Sequence, residues 1–364
     1  MATAKLDKAQ RILIVLHGAI GDVTRALPLA VRIKDNMPDC LITWGVEPIS
    51  APLVQGHPAV DEVVVFNRKG GLTAFRTYVS ELRRRRFDVV LDLQRHFKSG
   101  VTSLLSGGKR RIGFHRKNAK EFNWLFNNEH ISQVEHYSPK IQYYQRFGDL
   151  LGLPSMRTLK FGLTASAAEL KQVAELIQAE CDRLHLDRDS HAGYCALILG
   201  STWPSRFWPA VHYAELIRTL QDKYGMRSVM LGSKSEEPSA AEIESLLGQQ
   251  PVLNLVSKTS LRELPAVFDT CRFAVGSDSG PMHIAAASGS AVVSLWGSTS
   301  HERSAPYGSE DLVLDAAIGC SPCFRKNCPG LGTLCMKEIP PAAVLAQIDR
   351  IINREKLQNT ERTG

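Results

Sequence analysis

Three short loops carry side chains whose types and spacing suit chemistry on a phosphorylated, hydroxyl-bearing substrate. The first is LHGAIGDVTRALPLA, residues 16–30, where Gly18 and Gly21 allow a tight path after an apolar run and Asp22 falls at an expected helix start. A carboxylate there can act as a general base, or it can simply cap the helix and favour its dipole. No G-x-G-x-x-G accompanies it, which argues against an ordinary dinucleotide-binding dehydrogenase. The second loop is GSTWPSRFWP, residues 200–209. Ser201 and Thr202 offer hydroxyls and Arg206 a fork of donors that fits phosphate oxygens; the plain alternative is a capped helix start with Trp203 and Trp208 packed on the surface. The third is GSDSGPMHIAAASG, residues 276–289, in which Asp278, Ser279 and Gly280 close a strand and Pro281 opens a helix. Its N-terminal amides form an anion site, with His283 one turn in. An isolated histidine is more often an ordinary structural one, but beside the second loop the phosphate reading gains weight.

Weaker signals surround these loops. LGSKSEEP (231–238) puts Glu236 and Glu237 after a strand end, where a carboxylate can accept from ribose hydroxyls or serve as a first-turn helix acid. SKTSL (257–261), with Thr259 at its centre, can offer backbone groups to a purine edge. Arg95, His96 and Lys98 form a basic group after another strand. Cys320, Cys323, Cys328 and Cys335 have a spacing that suits tetrahedral zinc, against the alternative of a reduced, packed loop. Cys40, Cys181, Cys195 and Cys271 are scattered, several of them in apolar stretches, and read as buried small hydrophobes.

The elements that must position these residues alternate strand and helix. RILIVLH, CLITWGV, VDEVVVFN and FDVVLDL are separated by amphipathic stretches, the first from about residue 22 to 37. Near-continuous apolar strands between helices imply parallel sheets covered on both faces. The rhythm weakens between about 115 and 165, which reads as an inserted aromatic and histidine-rich region with Trp124, His130, His136, Tyr143 and Tyr144. It restarts at YCALILG after a linker at DRDSHAG, and continues through RSVMLG, VLNLV, RFAVGS and AVVSLWG. The reading is an α/β chain of two doubly wound domains: residues 1–185, including a linker helix over about 165–186; residues 190–340; and a C-terminal helix and tail, 341–364, packing back on the first domain.

With 364 residues the chain is long enough for two cores. Its 44% apolar and 22% charged content is that of a soluble globular protein. No run approaches the eighteen apolar residues of a spanning helix, and the run 12–16 lacks the cleavage site of a signal peptide. A cytoplasmic location is expected. The formal charge of +7 suits an anionic partner such as phosphate or an acidic lipid surface, and Arg83–Arg86 can contact such a surface or simply favour a helix C-terminus. A basic face with interleaved aromatics, as nucleic-acid binding needs, is not found in the sequence.

GDVTRALP, FDVVLDLQRHFKSG (87–100) with RRIGF (110–114), the Ser-Thr loop ending in FWP, GSDSGPMHIAAA and CSPCFRKNCPG with its following CM occur in an order that resembles glycosyltransferase family 9, the lipopolysaccharide heptosyltransferases. The resemblance spans nearly the whole chain. It implies a GT-B fold, two Rossmann-like domains facing across a cleft, with acceptor mainly on the first and donor on the second. It implies an inverting transfer of L-glycero-D-manno-heptose from ADP-heptose to the phosphorylated inner core of lipopolysaccharide, with no metal or other cofactor required and with peripheral contact at the inner membrane. The catalytic aspartate falls on Asp22. The donor-binding positions fall on Ser201, Thr202, Arg206, Glu236, Asp278, Ser279, Gly280 and His283, with adenine near Thr259; Arg95, His96 and Lys98 are assigned to the acceptor. His17 stands where the family has a smaller residue, and Arg206 where it commonly has lysine. A nucleotide-sugar transferase with a hexose or N-acetylhexosamine donor and a nucleotide-sugar epimerase are the competing readings.

Overall fold

A computed structural model describes residues 10–135, 137–188, 192–330 and 332–363. His136 and part of the 187–193 linker reading lie outside the described residues. The chain divides into two compact units, 1–163 and 164–364.

The first unit carries a six-stranded parallel sheet in the order β3-β2-β1-β4-β5-β6. Its strands are β1 (Arg11–Val15), β2 (Leu41–Val46), β3 (Glu62–Val65), β4 (Val89–Asp92), β5 (Arg110–Gly113) and β6 (Glu129–His130). The helices are α1 (Ile20–Asn36), α2 (Ala51–Val54), α3 (Gly71–Arg84), α4 (Phe97–Leu105) and α5 (Lys140–Leu150). β1 is rich in β-branched residues and is buried on both faces, as a central parallel strand must be. On one face Leu13, Val15, Tyr78, Leu82 and Phe87 form a core cluster.

The second unit repeats the plan in the order β12-β11-β10-β7-β8-β9, again wholly parallel. Its strands are β7 (Tyr194–Ile198), β8 (Arg227–Leu231), β9 (Leu253–Asn254), β10 (Cys271–Ser277), β11 (Ala291–Trp296) and β12 (Val313–Asp315). Its helices are α6 (Ala167–Arg183), α7 (Ala210–Tyr224), α8 (Glu237–Leu247), α9 (Leu264–Thr270), α10 (Gly280–Ala287), α11 (His301–Ser304), α12 (Leu334–Lys337) and α13 (Pro341–Thr363). β10 runs so close to β7 that a Cβ on Gly276 would lie 2.8 Å from that of Ile198, so only glycine fits. Counted from its own first strand, each sheet has the doubly wound order 3-2-1-4-5-6. The order reverses between β1 and β4 in one unit and between β7 and β10 in the other. The loops at the carboxyl ends of these four strands are where such a sheet binds ligands.

The α/β class and the two Rossmann-like units are as expected; three details differ. Helix α6 belongs to the second unit, where buried Glu180 accepts from Lys258 Nζ at 2.5 Å and from the Asn254 amide at 3.1 Å. The boundary therefore falls before this helix, not after it. Helix α13 contributes Val344, Ile348, Ile351 and Ile352 to the second unit's own core, in one cluster with Leu216, Leu220 and Val293, so it belongs to that unit. The stretch 115–165 is not an insertion. It completes the first sheet with β6 and adds α5, which is tied to α1 by buried Arg32, whose guanidinium donates to Gln145 O, Leu153 O, Pro154 O and the Asp149 carboxylate.

Candidate active site

In the first unit, β1 ends at Val15 and α1 begins at Ile20, which places Asp22 in the first turn of α1. Its carboxylate accepts from Arg25, one turn on, at 2.6 Å and from Lys140 at 3.2 Å. Lys140 opens α5, where the helix dipole disfavours a cation; the pairing with Asp22 offsets that cost. Burial by itself would raise the Asp22 pKa, but the Lys140 and Arg25 charges, with their hydrogen bonds, outweigh it and hold the carboxyl far below its usual range. About a quarter of the side chain (27%) is exposed, so the carboxylate is reachable.

The loop before α1 is anchored from both sides. The Gln94 side-chain Oε1 accepts from the His17 amide at 2.7 Å, and the His17 ring lies 3.0 Å from the buried Tyr78 hydroxyl. Burial, helped by the Arg68 charge, pushes the His17 pKa down to about 4, so the ring is neutral at ordinary pH. Gln94 follows Asp92, the last residue of β4. This fully buried carboxylate is raised in pKa by burial, against which Asn123 (2.6 Å) and Asn127 (3.3 Å) donate to it.

Of the three basic residues assigned to the acceptor, Arg95 directly follows Gln94, whose side chain anchors the Asp22 loop. Its guanidinium sits over the rings of Phe114 and Tyr143, 5.5 and 5.9 Å from their centroids. Burial raises the Tyr144 phenol; the Asp22 charge adds to that rise while the Arg25 and Arg95 charges oppose it. His96 turns to Glu121 at 3.2 Å, and Lys98 stands exposed on α4.

In the second unit the loops after β7 and β10 meet. Ser201 Oγ donates to Asp278 O at 2.9 Å; Arg206 Nη1 donates to that carbonyl at 3.0 Å and pairs with the Asp278 carboxylate at 3.2 Å. Thr299 also donates to this carboxylate at 2.9 Å, and His283 Nε2 lies 4.0 Å from it. The Arg206 guanidinium lies over Trp203, 4.2 Å from the ring centroid. Such stacking suits a planar guanidinium and explains how arginine is used where lysine is usual in the resemblance. Trp208, by contrast, is buried and donates to Ile339 O. Ser279 is the N-cap of α10, yet its side chain makes no capping bond, and its buried Oγ has no hydrogen-bond partner among the described residues. Gly280 is the first residue of α10, and the amides that follow lead that helix.

Glu236 is drawn against the same loop: a Cβ on Gly200 would lie 2.3 Å from its carboxyl carbon. Its oxygens accept from the Ser233 amide and hydroxyl and from Ser235, so it serves as the first-turn helix acid foreseen as the alternative. Ser257 N donates to Gly232 O at 2.9 Å, which brings the Thr259 loop beside it. Thr202 is exposed at the tip of the loop.

The cysteine-bearing segment has a structural role that the sequence did not disclose. Ser205 N donates to Lys326 O, and Ser205 Oγ donates to Arg325 O at 2.6 Å and lies 2.9 Å from Ser298 Oγ. The segment thus braces the Arg206 loop. Burial raises the Cys335 thiol, and the thiols of Cys320, Cys323 and Cys328 add to that rise. Yet no group of three or more His, Cys, Asp or Glu among the described residues is arranged to hold a metal. Cys335 is buried against Gly297 while Cys320 is exposed. Cys40, Cys181, Cys195 and Cys271 are free and buried, as expected.

Sequence reasoning reaches Tyr144 and Trp203 only as aromatic or packing residues and misses Lys140, Ser205 and Thr299. Arg25 was within reach, as it lies in the GDVTR stretch; Lys140, 118 residues from Asp22, left no local signal.

A Haemophilus influenzae protein, lipopolysaccharide core heptosyltransferase OpsX, is 26% identical over 311 residues, 84% of this chain and 85% of that one. The crystal structure of a glycosyl transferase family 9 protein from Veillonella parvula superposes with a TM-score of 0.81 at 17% identity, covering 96% of this chain and 99% of that one. E. coli heptosyltransferase WaaC, solved with ADP-2-deoxy-2-fluoro heptose, gives 0.70 at 23% identity, covering 93% and 99%. The sequence model of glycosyltransferase family 9 (heptosyltransferase) matches residues 75–333, and the chain belongs to that family of glycosyltransferases.

Proposed function

We propose that the protein moves L-glycero-D-manno-heptose from ADP-heptose to the inner core of lipopolysaccharide, with inversion and without a metal. The observation that carries this reading is the cluster at the second unit's switch point: Arg206, Ser201 and the α10 N-terminus with the unpartnered Ser279 hydroxyl, all suited to a diphosphate. Relatives that carry the heptosyltransferase name and a solved relative holding an ADP-heptose analogue support the choice of donor.

In this reading Asp22 accepts the proton of an acceptor hydroxyl. The oxygen forms a bond to the anomeric carbon on the face opposite the diphosphate, and the bond to ADP breaks with its electron pair leaving on the phosphate oxygen. Arg206, His283 and the amides of α10 stabilise that charge, each key donor contributing roughly 3–4 kcal/mol in such sites. Glu236 and the loop around Thr259 border the nucleoside, and Thr202 adds a hydroxyl to the phosphates. Arg95, His96 and Lys98 meet the anionic acceptor. The acceptor is lipid-borne, so the protein works at an anionic membrane surface from the cytoplasmic side.

The test is transfer from ADP-heptose to a truncated core acceptor, read by mass spectrometry, with hexose donors in parallel and with EDTA present. Asp22→Asn is expected to lower kcat by about 100- to 10,000-fold while ADP affinity stays within about twofold. Equal turnover with the variant, or transfer of a hexose in preference, refutes the proposal.

A further inference from the structure

Helix α4 is built inside out. Its buried residues are Ser99, Gly100, Thr102 and Ser103, all small and mostly polar. They seat the helix on the buried polar set beneath it: Ser103 Oγ donates to Asn127 at 2.7 Å, and a Cβ on Gly100 would come within 2.5 Å of the Phe126 ring. The apolar residues face outward. Phe97 is 49% exposed and Leu104 44%, and with partly exposed Val101 they mark the i, i+4, i+7 positions of one stripe.

The segment 120–126 extends this stripe. It is fastened alongside by Lys120 N to Arg95 O and by Asn123 Nδ2 to His96 O, each at 2.9 Å. It presents Phe122 and Leu125, 71% and 60% exposed. Lys98, Arg116, Lys117 and Lys120, close to these residues in sequence, are exposed, while the acid in the same stretch, Glu121, is engaged by His96 and the Phe97 amide. Exposed apolar side chains gathered on two fastened segments are uncommon on a solvated surface and mark a docking site.

We propose that this face docks on a lipid bilayer carrying anionic headgroups, with Phe97, Leu104, Phe122 and Leu125 entering the interface and the lysines meeting the headgroups. Aromatic and leucine side chains beside a basic rim match such a surface. A second copy of the chain fits less well, because a symmetric contact would set this cationic rim against itself. The inference deepens the proposed function and rests on its lipid-borne acceptor. It also moves the membrane contact away from Arg83–Arg86, where Leu82 and Phe87 are buried and Arg85 is paired with Glu62, so that run offers charge without apolar side chains to insert.

The test is sedimentation of the full chain with phosphatidylcholine vesicles, with and without about one-fifth phosphatidylglycerol. Wild type is expected to bind the anionic vesicles and not the neutral ones. Phe122→Ser with Leu125→Ser, and separately Lys117→Glu with Lys120→Glu, should each weaken binding by at least about tenfold. Both double variants should keep wild-type transfer to a water-soluble, deacylated acceptor. Failure of the wild type to bind, wild-type binding by both variants, or a wild-type dimer that either variant splits would overturn the inference. Vesicle binding as described with no heptose transfer by the wild type would leave the surface standing and refute the reaction.

Discussion

His17 offers a quantitative check on how the Asp22 loop is held. The side chain is buried against Tyr78 and Phe66, and its pKa falls from 6.5 to about 4. The unfolded chain binds this proton more readily than the folded one. The contribution is therefore fully present above the unfolded value, shrinks as pH falls from about 6.5 toward 4, and changes no further below that. Between about pH 7.5 and pH 4.5 the predicted loss from this group alone is about 2.5 kcal/mol, taken from the ratio of the two binding polynomials. His17→Gln keeps a hydrogen-bonding group near Tyr78 and does not titrate. The assay is urea unfolding of both proteins at the two pH values. All other titrations are common to both, so the difference between wild type and variant isolates His17. The variant is expected to be less stable than wild type at the higher pH and to recover about 2.5 kcal/mol relative to it at the lower. An unchanged difference would mean that this ring is solvated or charged in the fold, contrary to the packing described.

Three further outcomes follow from the site geometry. Arg206→Lys removes the planar group over Trp203 and leaves a single ammonium to serve Asp278 and the phosphates; donor KM and the ADP Kd by calorimetry should each rise about tenfold. Lys140→Met takes one cation from Asp22, so the carboxyl pKa rises and activity should begin to fall at a higher pH on the acid side of the kcat profile than in wild type. Asn123→Ala deprives buried Asp92 of its shortest hydrogen bond and should destabilise the first unit by about 1–3 kcal/mol in thermal or urea unfolding.

The central strands and the loops that follow them could be read from the sequence because their determinants are local. RILIV, YCALI and CRFAVGS are apolar over the length of a buried parallel strand, and the Asp22, Arg206 and Asp278 loops stand directly after them. Strands β6 and β12 have two and three residues, too few for a period to show, so the stretch containing β6 looked like an insertion. The domain boundary was misplaced for a related reason. An amphipathic helix such as α6 announces that one face is buried but not which sheet covers it, and here the answer depends on Glu180 meeting Lys258 and Asn254. The brace from the Ser205 hydroxyl to the Arg325 carbonyl spans 120 residues, and because its acceptor is a backbone oxygen it leaves no mark in the sequence.

The depressed pKa of Asp22 is compatible with the proposed use of this carboxylate as a base, and in that proposal it constrains the timing of the proton transfer. A carboxylate held down by Lys140 and Arg25 cannot remove a proton from a free alcohol to any useful extent. As the acceptor oxygen bonds to the anomeric carbon, however, it acquires positive charge and its proton becomes strongly acidic. A weak but correctly placed base is then sufficient, and a stronger one would gain little. Once Asp22 is protonated, the two cations beside it have lost their counter-charge, which favours prompt return of the proton to solvent. Asp22 should therefore be ionised at every pH at which the protein is folded and active. Its two cations set where the carboxylate points, at the expense of its basicity, and the acidity developed by the bond-forming oxygen makes up the difference.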